Sequence, residues 1–424
     1  MFMSGTAELK SFVHLYRMKL KIIFAVFVAV LSCLQASSQS SVITGAERTQ
    51  VYMPMLKGKK IAVFANQTSI IKGVHLVDTL IQSGIKVVKI FGPEHGFRGT
   101  ADAGEHVNDN RDKKTGLPVI SLYGSHKKPT YDDLKDIDAV VFDIQDVGVR
   151  FYTFISSLEY VLEACLENHK PLMILDRPNP NGFYVDGPVL DKKLKSFVGM
   201  QPVPIVYGMT IGEYALMLTG ENWLSDQANK NNAYNVTTEP SVDTPFHVQV
   251  IKCKNYNHST RYVLPVNPSP NLKEMQSIYL YPSTCFFEGT VLSEGRGTDK
   301  PFQIFGHPSL PKKLYAFTPK PNAGAKTSKC FYKKCYGWNE SGSVDAVLKK
   351  VNSQIQLKYI LNAYKLFPGK DSFFLKNNFF NKLAGNDELM QQIKDGKSEA
   401  EIKASWEPAL NEFKKIRKKY LLYE

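Results

Sequence analysis

Between residues 59 and 224 short apolar runs alternate with longer stretches of helical periodicity, the pattern left by parallel βαβ units. The runs fall at 60–65 (KIAVFA), 86–91 (KVVKIF), 118–123 (PVISLY), 139–144 (AVVFDI), 171–175 (PLMIL) and 203–207 (VPIVY). Their near-continuous Val, Ile and Leu content predicts strands buried on both faces. The clearest intervening helix is 151–169, where Phe151, Phe154, Ile155, Leu158, Val161, Leu162, Cys165 and Leu166 recur at the spacing that builds one apolar stripe. A second is expected at 73–83, and a third after Thr210, whose pairing with Glu213 reads as a capping box. Right-handed crossovers between such strands give an α/β fold with an open, doubly wound parallel sheet, which holds its ligands beyond the carboxyl ends of the strands.

The polar stretch 226–235 (DQANKNNAYN) reads as a surface loop, so the expected division is an α/β domain over 45–225 and a smaller α+β domain over 240–424. In the latter, 246–252 alternates like a strand, 280–308 is punctuated by glycine, and helices dominate from Ser343. Ser398 and Glu401 are placed to cap the last helix, which turns Ile402, Trp406, Leu410, Phe413 and Ile416 inward.

The apolar run 22–34 is shorter than the roughly 20 residues of a membrane span but suits the 7–15-residue core of a secretory signal. Arg17, Lys19 and Lys21 flank it, and Ala36, Ser37 and Ser38 supply small residues for cleavage. Residues 1–38 are therefore expected to be a signal peptide and the protein exported to the periplasm. Leu31 and Ser32 before Cys33 also resemble a lipoprotein site, which makes Cys33 a candidate lipid anchor. The formal charge is +13 for the whole chain and remains positive without these residues. A basic surface favours anionic partners. No zinc-finger spacing, RNP-type motif or base-reading basic helix accompanies it, so no nucleic-acid partner is expected. Cys165, Cys253, Cys285, Cys330 and Cys335 show no C-x-x-C spacing; Cys330 and Cys335 alone are near enough in sequence to pair across a short loop.

Absent motifs narrow the chemistry. Gly92, Gly96 and Gly99 do not follow the dinucleotide fingerprint, and no phosphate loop, serine-hydrolase elbow or zincin helix is present. Polar clusters instead sit at the expected strand ends: Glu94, His95 and Arg98 in the Gly/Pro turn 92–99; Asp143, Gln145, Asp146, Arg150 and Tyr152 in 143–152; Asp176, Arg177 and Asn179 in 176–182. A plain ion pair and turn account for Asp176 and Arg177, and a helix cap for Asp143. Glu94 is different, because a turn has no need of a carboxylate beside His and Arg; a strand-end carboxylate in a crevice is a candidate acid or base. Further along, Glu288, Glu294 and Arg296 share a Gly-rich segment. Two carboxylates across a cleft are what glycoside hydrolysis requires, and Phe97, Tyr152, Tyr207, Phe286 and Phe287 are candidates to stack on sugar rings. A metal-dependent hydrolase built on His75, Glu94, His95, Glu105 and His106 is a weaker reading, since their spacing does not follow the helical ligand pattern of zinc sites.

On these residues, with 65–69 (ANQTS), 142–152, 175–187, 293–298, Trp406-Glu407-Pro408 and 417–421 (RKKYL), the sequence is similar to the NamZ-type exo-β-N-acetylmuramidase family, formerly a domain of unknown function. The resemblance covers nearly the whole chain beyond the signal segment. It implies a Rossmann-like domain whose cleft is closed by the second domain, and release of N-acetylmuramic acid from the non-reducing end of peptidoglycan fragments, a reaction that requires no metal or other cofactor. It makes Glu94 the general acid. The second role falls to Glu294 as nucleophile or base, or to Asp143 or Asp146 orienting the 2-acetamido group. Arg98, Arg150, Arg177 and Arg296 are candidates to grip the lactyl carboxylate, and Asn66, His95, Gln145, Asp146, Tyr152, Asn179 and Glu288 to complete the substrate site. The competing reading is a non-catalytic periplasmic muropeptide-binding protein.

Overall fold

The computed structural model describes Tyr16, Met18 and residues 41–94, 96–98, 110–231, 236–241 and 245–424. The chain divides into two compact units, Met1–Ser41 and Val42–Glu424. In the first, Tyr16 and Met18 are helical and exposed; the apolar run 22–34, Cys33 and the expected cleavage site lie outside the described residues, as do His95, Glu105 and His106. No helix among the described residues is long and apolar enough to cross a membrane.

The second unit contains strands β1 (Lys60–Ala65), β2 (Ile70–Ile71), β3 (Val74–His75), β4 (Lys86–Gly92), β5 (Asn110–Arg111), β6 (Pro118–Ser121), β7 (Ala139–Asp143), β8 (Leu172–Leu175), β9 (Val236–Thr237), β10 (Val248–Ile251), β11 (Ile304–His307), β12 (Tyr315–Phe317) and β13 (Cys335–Asn339). Eight of them form one sheet in the order β5-β6-β4-β1-β7-β8-β10-β9. Every pairing in it is parallel except β5 with β6. The chain starts in the middle at β1 and winds outward in both directions, which creates the switch point of a doubly wound sheet. Successive residues of β1 serve opposite faces: Ala62 and Phe64 join one apolar cluster, Ile61, Val63 and Ala65 the other. Phe64 stacks on Phe142 of β7 with centroids 4.5 Å apart.

Two expectations change. The run 203–207 is not a sheet strand; Val206 makes only isolated antiparallel bridges to Val149 and Asp186. Its place beside β8 is taken by β10, all four of whose residues are buried. The large sheet thus continues past the polar stretch after residue 225, part of which is itself a short helix, Asp226–Asn231, rather than a loop. The capped helices are found as expected at Ile211–Gly220 and Glu399–Lys418, each with its capping box formed.

The smaller α+β part carries the antiparallel sheet β11-β13-β12 with helices Val344–Val351, Lys358–Leu366, Glu388–Lys394 and Glu399–Lys418. Its Phe286, Phe287, Phe305 and Trp406 belong to the same apolar cluster as Phe64 and Phe142, so one core runs through both parts. The carboxyl terminus fastens them: Tyr423 Oη donates to Asp176 Oδ2 (2.6 Å), the Leu422 amide to Glu213 Oε1 (2.7 Å), and Arg417 Nε to the Gly208 carbonyl (3.0 Å).

Candidate active site

Beyond β4 the chain must turn sharply. Pro93 accepts a hydrogen bond from the Gly96 amide (2.9 Å), and Gly96 sits at φ +73°, where a side chain would be strained. The turn leaves Glu94 half-buried on the wall of a cavity of about 440 Å³. Tyr123, two residues past the end of β6, donates to Glu94 Oε1 (2.9 Å), and Thr153 donates to Oε2 (3.3 Å). Thr153 is the residue preceding helix Phe154–Glu167, so the carboxylate lies at the amino end of that helix.

The other wall comes from the smaller part. Glu288 lies in the short helix Cys285–Gly289, and Arg296 is held between Gly295 and Gly297, both at positive φ. Arg296 Nη2 meets Glu288 Oε1 at 2.6 Å and its Nε meets Glu294 Oε1 at 3.3 Å; Lys329 Nζ reaches Glu294 Oε2 at 2.8 Å. The four residues form a chain of alternating charge, and the Arg296 guanidinium also lies 5.1 Å from the Phe302 ring. Burial alone would push the Glu294 carboxyl up, but Lys329 and Arg296 outweigh it and hold it below its usual range. Burial works against the Arg296 charge, and Glu288 and Glu294 overcome it and raise its pKa. Glu288 and Arg296 line the cavity together with Glu94; Glu294 does not, and joins them only on a neighbouring hollow of about 410 Å³.

Tyr152 also lines the cavity, with its hydroxyl donated to the Pro268 carbonyl (2.8 Å). The remaining sequence candidates hold the scaffold. Asp143, the last residue of β7, and Arg177, two residues past β8, are buried in a bidentate pair (2.5 and 2.9 Å), and neither lines the cavity. Asp146 accepts from the Gly148 amide and from Tyr207, and its burial pushes its carboxyl up to about 6. Gln145 donates to the Asp146 and Pro178 carbonyls, and Asn66 Oδ1 receives the Thr68 amide and hydroxyl, which stitches 66–69 to the end of β7. Asn179 donates to the Met209 carbonyl and accepts from the Asn181 amide. Arg98 forks onto Asp112 and covers Phe97. Arg150, with no exposed surface, donates to the carbonyls of Pro188, Val203, Leu383 and Ala384. Of the four arginines considered for substrate, only Arg296 is on the cavity. Of the proposed stacking aromatics, only Tyr152 is; Tyr207, Phe286 and Phe287 are core. His75 Nδ1 caps the helix Leu76–Gln82 by accepting the Val77 amide, and its Nε2 lies 2.9 Å from the Asn66 carbonyl.

The cavity also contains residues that the sequence did not single out: Tyr123, Lys127, Thr153 and Phe197. Tyr123 ends a predicted strand and Thr153 precedes a predicted helix, so both were open to the strand-end argument. Lys127 and Phe197 lie in irregular segments with no such signal.

A family model described as exo-β-N-acetylmuramidase NamZ, N-terminal, matches residues 61–276, and its C-terminal counterpart matches 279–423. The peptidoglycan β-N-acetylmuramidase NamZ of Bacillus subtilis (strain 168) is 38% identical over 400 residues, covering 88% of this chain and 89% of that protein. A DUF1343 family protein of Bacteroides fragilis NCTC 9343 of known crystal structure is 46% identical, with a TM-score of 0.79 over 91% of this chain and 99% of that one. A second from the same organism is 28% identical, with a TM-score of 0.74 over 90% and 99%. The two family models thus match in order over most of the chain, and the chain belongs to the NamZ exo-β-N-acetylmuramidase family.

Proposed function

We propose that this protein is an exo-acting glycosidase that releases N-acetylmuramic acid from the non-reducing end of peptidoglycan fragments, in the turnover and recycling of the cell wall. The observation that carries the site assignment is that Glu94 and Glu288, from different parts of the fold, line one cavity of a volume suited to a small ligand. Family membership supplies the substrate class, through the named activity of the Bacillus subtilis relative.

In this reading Glu94, positioned by Tyr123 and Thr153, delivers a proton to the departing glycosidic oxygen. Glu288 takes the second role, because Asp143 and Asp146 are built into the scaffold and Glu294 does not line the cavity. Arg296 fixes Glu288 in place and keeps a positive charge beside it. The separation of the two carboxylates in the substrate complex decides between direct attack and activation of water. Tyr152, Phe151 and Phe302 exclude water from the reacting bond.

The signal-like segment 1–38 supports export to the periplasm, and Cys33 supports a lipid anchor there; loss of labelled palmitate incorporation in Cys33→Ser tests the latter. The activity is tested with a chromogenic N-acetylmuramide and the matching N-acetylglucosaminide. Turnover of the muramide alone is expected. Binding of muramyl fragments without turnover would replace the enzyme reading with that of a binding protein.

A further inference from the structure

N-acetylmuramic acid differs from N-acetylglucosamine by a lactyl ether that ends in a carboxylate. A cavity lined by Glu94 and Glu288 repels such a group unless a cation receives it. Among the described residues, two cations line the cavity, Lys127 and Arg296. Arg296 already meets Glu288 through Nη2 and Glu294 through Nε, so its charge is balanced by two carboxylates of the protein. Arg98, Arg150 and Arg177 are engaged elsewhere.

Lys127 is in a different position. Its ammonium donates to the Gly124 carbonyl and lies 5.4 Å from the centre of the Phe197 ring, and both of those contacts are neutral. No carboxylate of the described residues pairs with it. An ammonium has three donors, which leaves it able to take an incoming anion. It is also well placed: the 123–127 segment that bears it begins with Tyr123, which holds Glu94. Phe197, flanked by Tyr123 at 6.4 Å and stacked on Tyr160 at 6.1 Å, gives the ammonium a rigid apolar backing that limits its hydration.

We propose that Lys127 is the specificity-determining residue that binds the lactyl carboxylate of the terminal sugar, orienting its glycosidic oxygen toward Glu94. The proposal rests on the muramidase reading and adds the residue that distinguishes a muramyl from a glucosaminyl end. A charge-assisted contact of this kind is read as a preference for the free acid over its neutral ester.

The test compares a chromogenic N-acetylmuramide bearing a free lactyl carboxylate with the corresponding lactyl methyl ester. Wild type is expected to favour the acid by about 10- to 100-fold in kcat/KM, expressed chiefly in KM. Lys127→Met is expected to bring the two substrates to within about threefold, by loss on the acid only. Lys127→Arg should restore most of the preference. Lys193→Met, which removes the same charge from the surface pair with Asp191 and Asp387, should leave the ratio unchanged. An acid preference that survives in Lys127→Met, or its absence in wild type, overturns the assignment while leaving the muramidase reading intact. Failure of wild type to cleave either substrate sinks both.

Discussion

Tyr123 holds the Glu94 carboxylate by a 2.9 Å hydrogen bond that joins the loops after two neighbouring strands, β4 and β6. Because the donor is a rigid ring fixed against Phe197, it restricts the carboxylate to one orientation in the cavity. Tyr123→Phe keeps the ring and removes only this bond. We expect kcat/KM to fall by about tenfold, as loss of one positioning hydrogen bond predicts, with an unchanged melting temperature. Steady-state kinetics and thermal unfolding of the same preparation check both halves.

Glu94→Gln should lower kcat by about 10²- to 10⁴-fold, the range for removal of a general acid, and leave the affinity for muramyl fragments close to wild type. Calorimetric titration beside single-turnover kinetics separates the two. Full retention of kcat would remove Glu94 from the mechanism.

Glu288 and Glu294 flank one arginine, but only Glu288 lines the cavity that holds Glu94, so their amide variants should part company. Glu288→Gln is expected to lose activity on the scale of Glu94→Gln and remain folded. Glu294→Gln leaves Arg296 and Lys329 short of a partner in a buried setting, which costs about 2 kcal/mol of stability once their partial solvent contact is allowed for. The reverse pattern, a stable but inactive Glu294→Gln with an active Glu288→Gln, would exchange the two roles.

Arg150 is a stability prediction. It supplies hydrogen bonds to four carbonyls, two of them at Leu383 and Ala384, and it fits only because position 385 is glycine: a Cβ there would stand 2.4 Å from Nη2. Arg150→Met strands those carbonyls and should destabilise the fold by about 3–5 kcal/mol. The KM of whatever fraction remains folded should be that of wild type. Denaturant unfolding measures the first quantity and kinetics on the soluble protein the second.

The buried carboxyl of Glu159 sets a pH dependence. Burial, against the weaker opposing pull of Gln201 and Lys195, raises it from 4.5 to about 8, while Glu163 adds to the rise and Lys128 subtracts from it. A carboxyl that is harder to ionise in the folded state binds more protons there than when unfolded, so stability decreases as pH rises between these two values. The Glu159→Gln variant should be no more stable than wild type near pH 4 and progressively more stable up to about pH 8. Melting curves across that range settle it; a constant difference would show that the side chain does not titrate with unfolding.

The sequence alone determined the strand-and-helix alternation, the central strands β1, β4, β7 and β8, and the capped helices after Thr210 and Ser398, because those signals are local: hydrophobic period and cap chemistry need only neighbouring residues. It also pointed to Glu94, since a carboxylate in a strand-end turn stands out without reference to anything distant. Only the tertiary structure decided which charged residues face the cavity. Asp143 and Arg177 look like site residues until they are seen to neutralise each other, and Arg150 until four distant carbonyls are seen to surround it. Lys127 has no local signature, and its significance comes from the absence of a carboxylate partner among the described residues, a property of contacts across the fold. The run 203–207 failed as a sheet strand for the same reason: its apolar content says that it is buried, but only competition with β10 decides which segment pairs with β8.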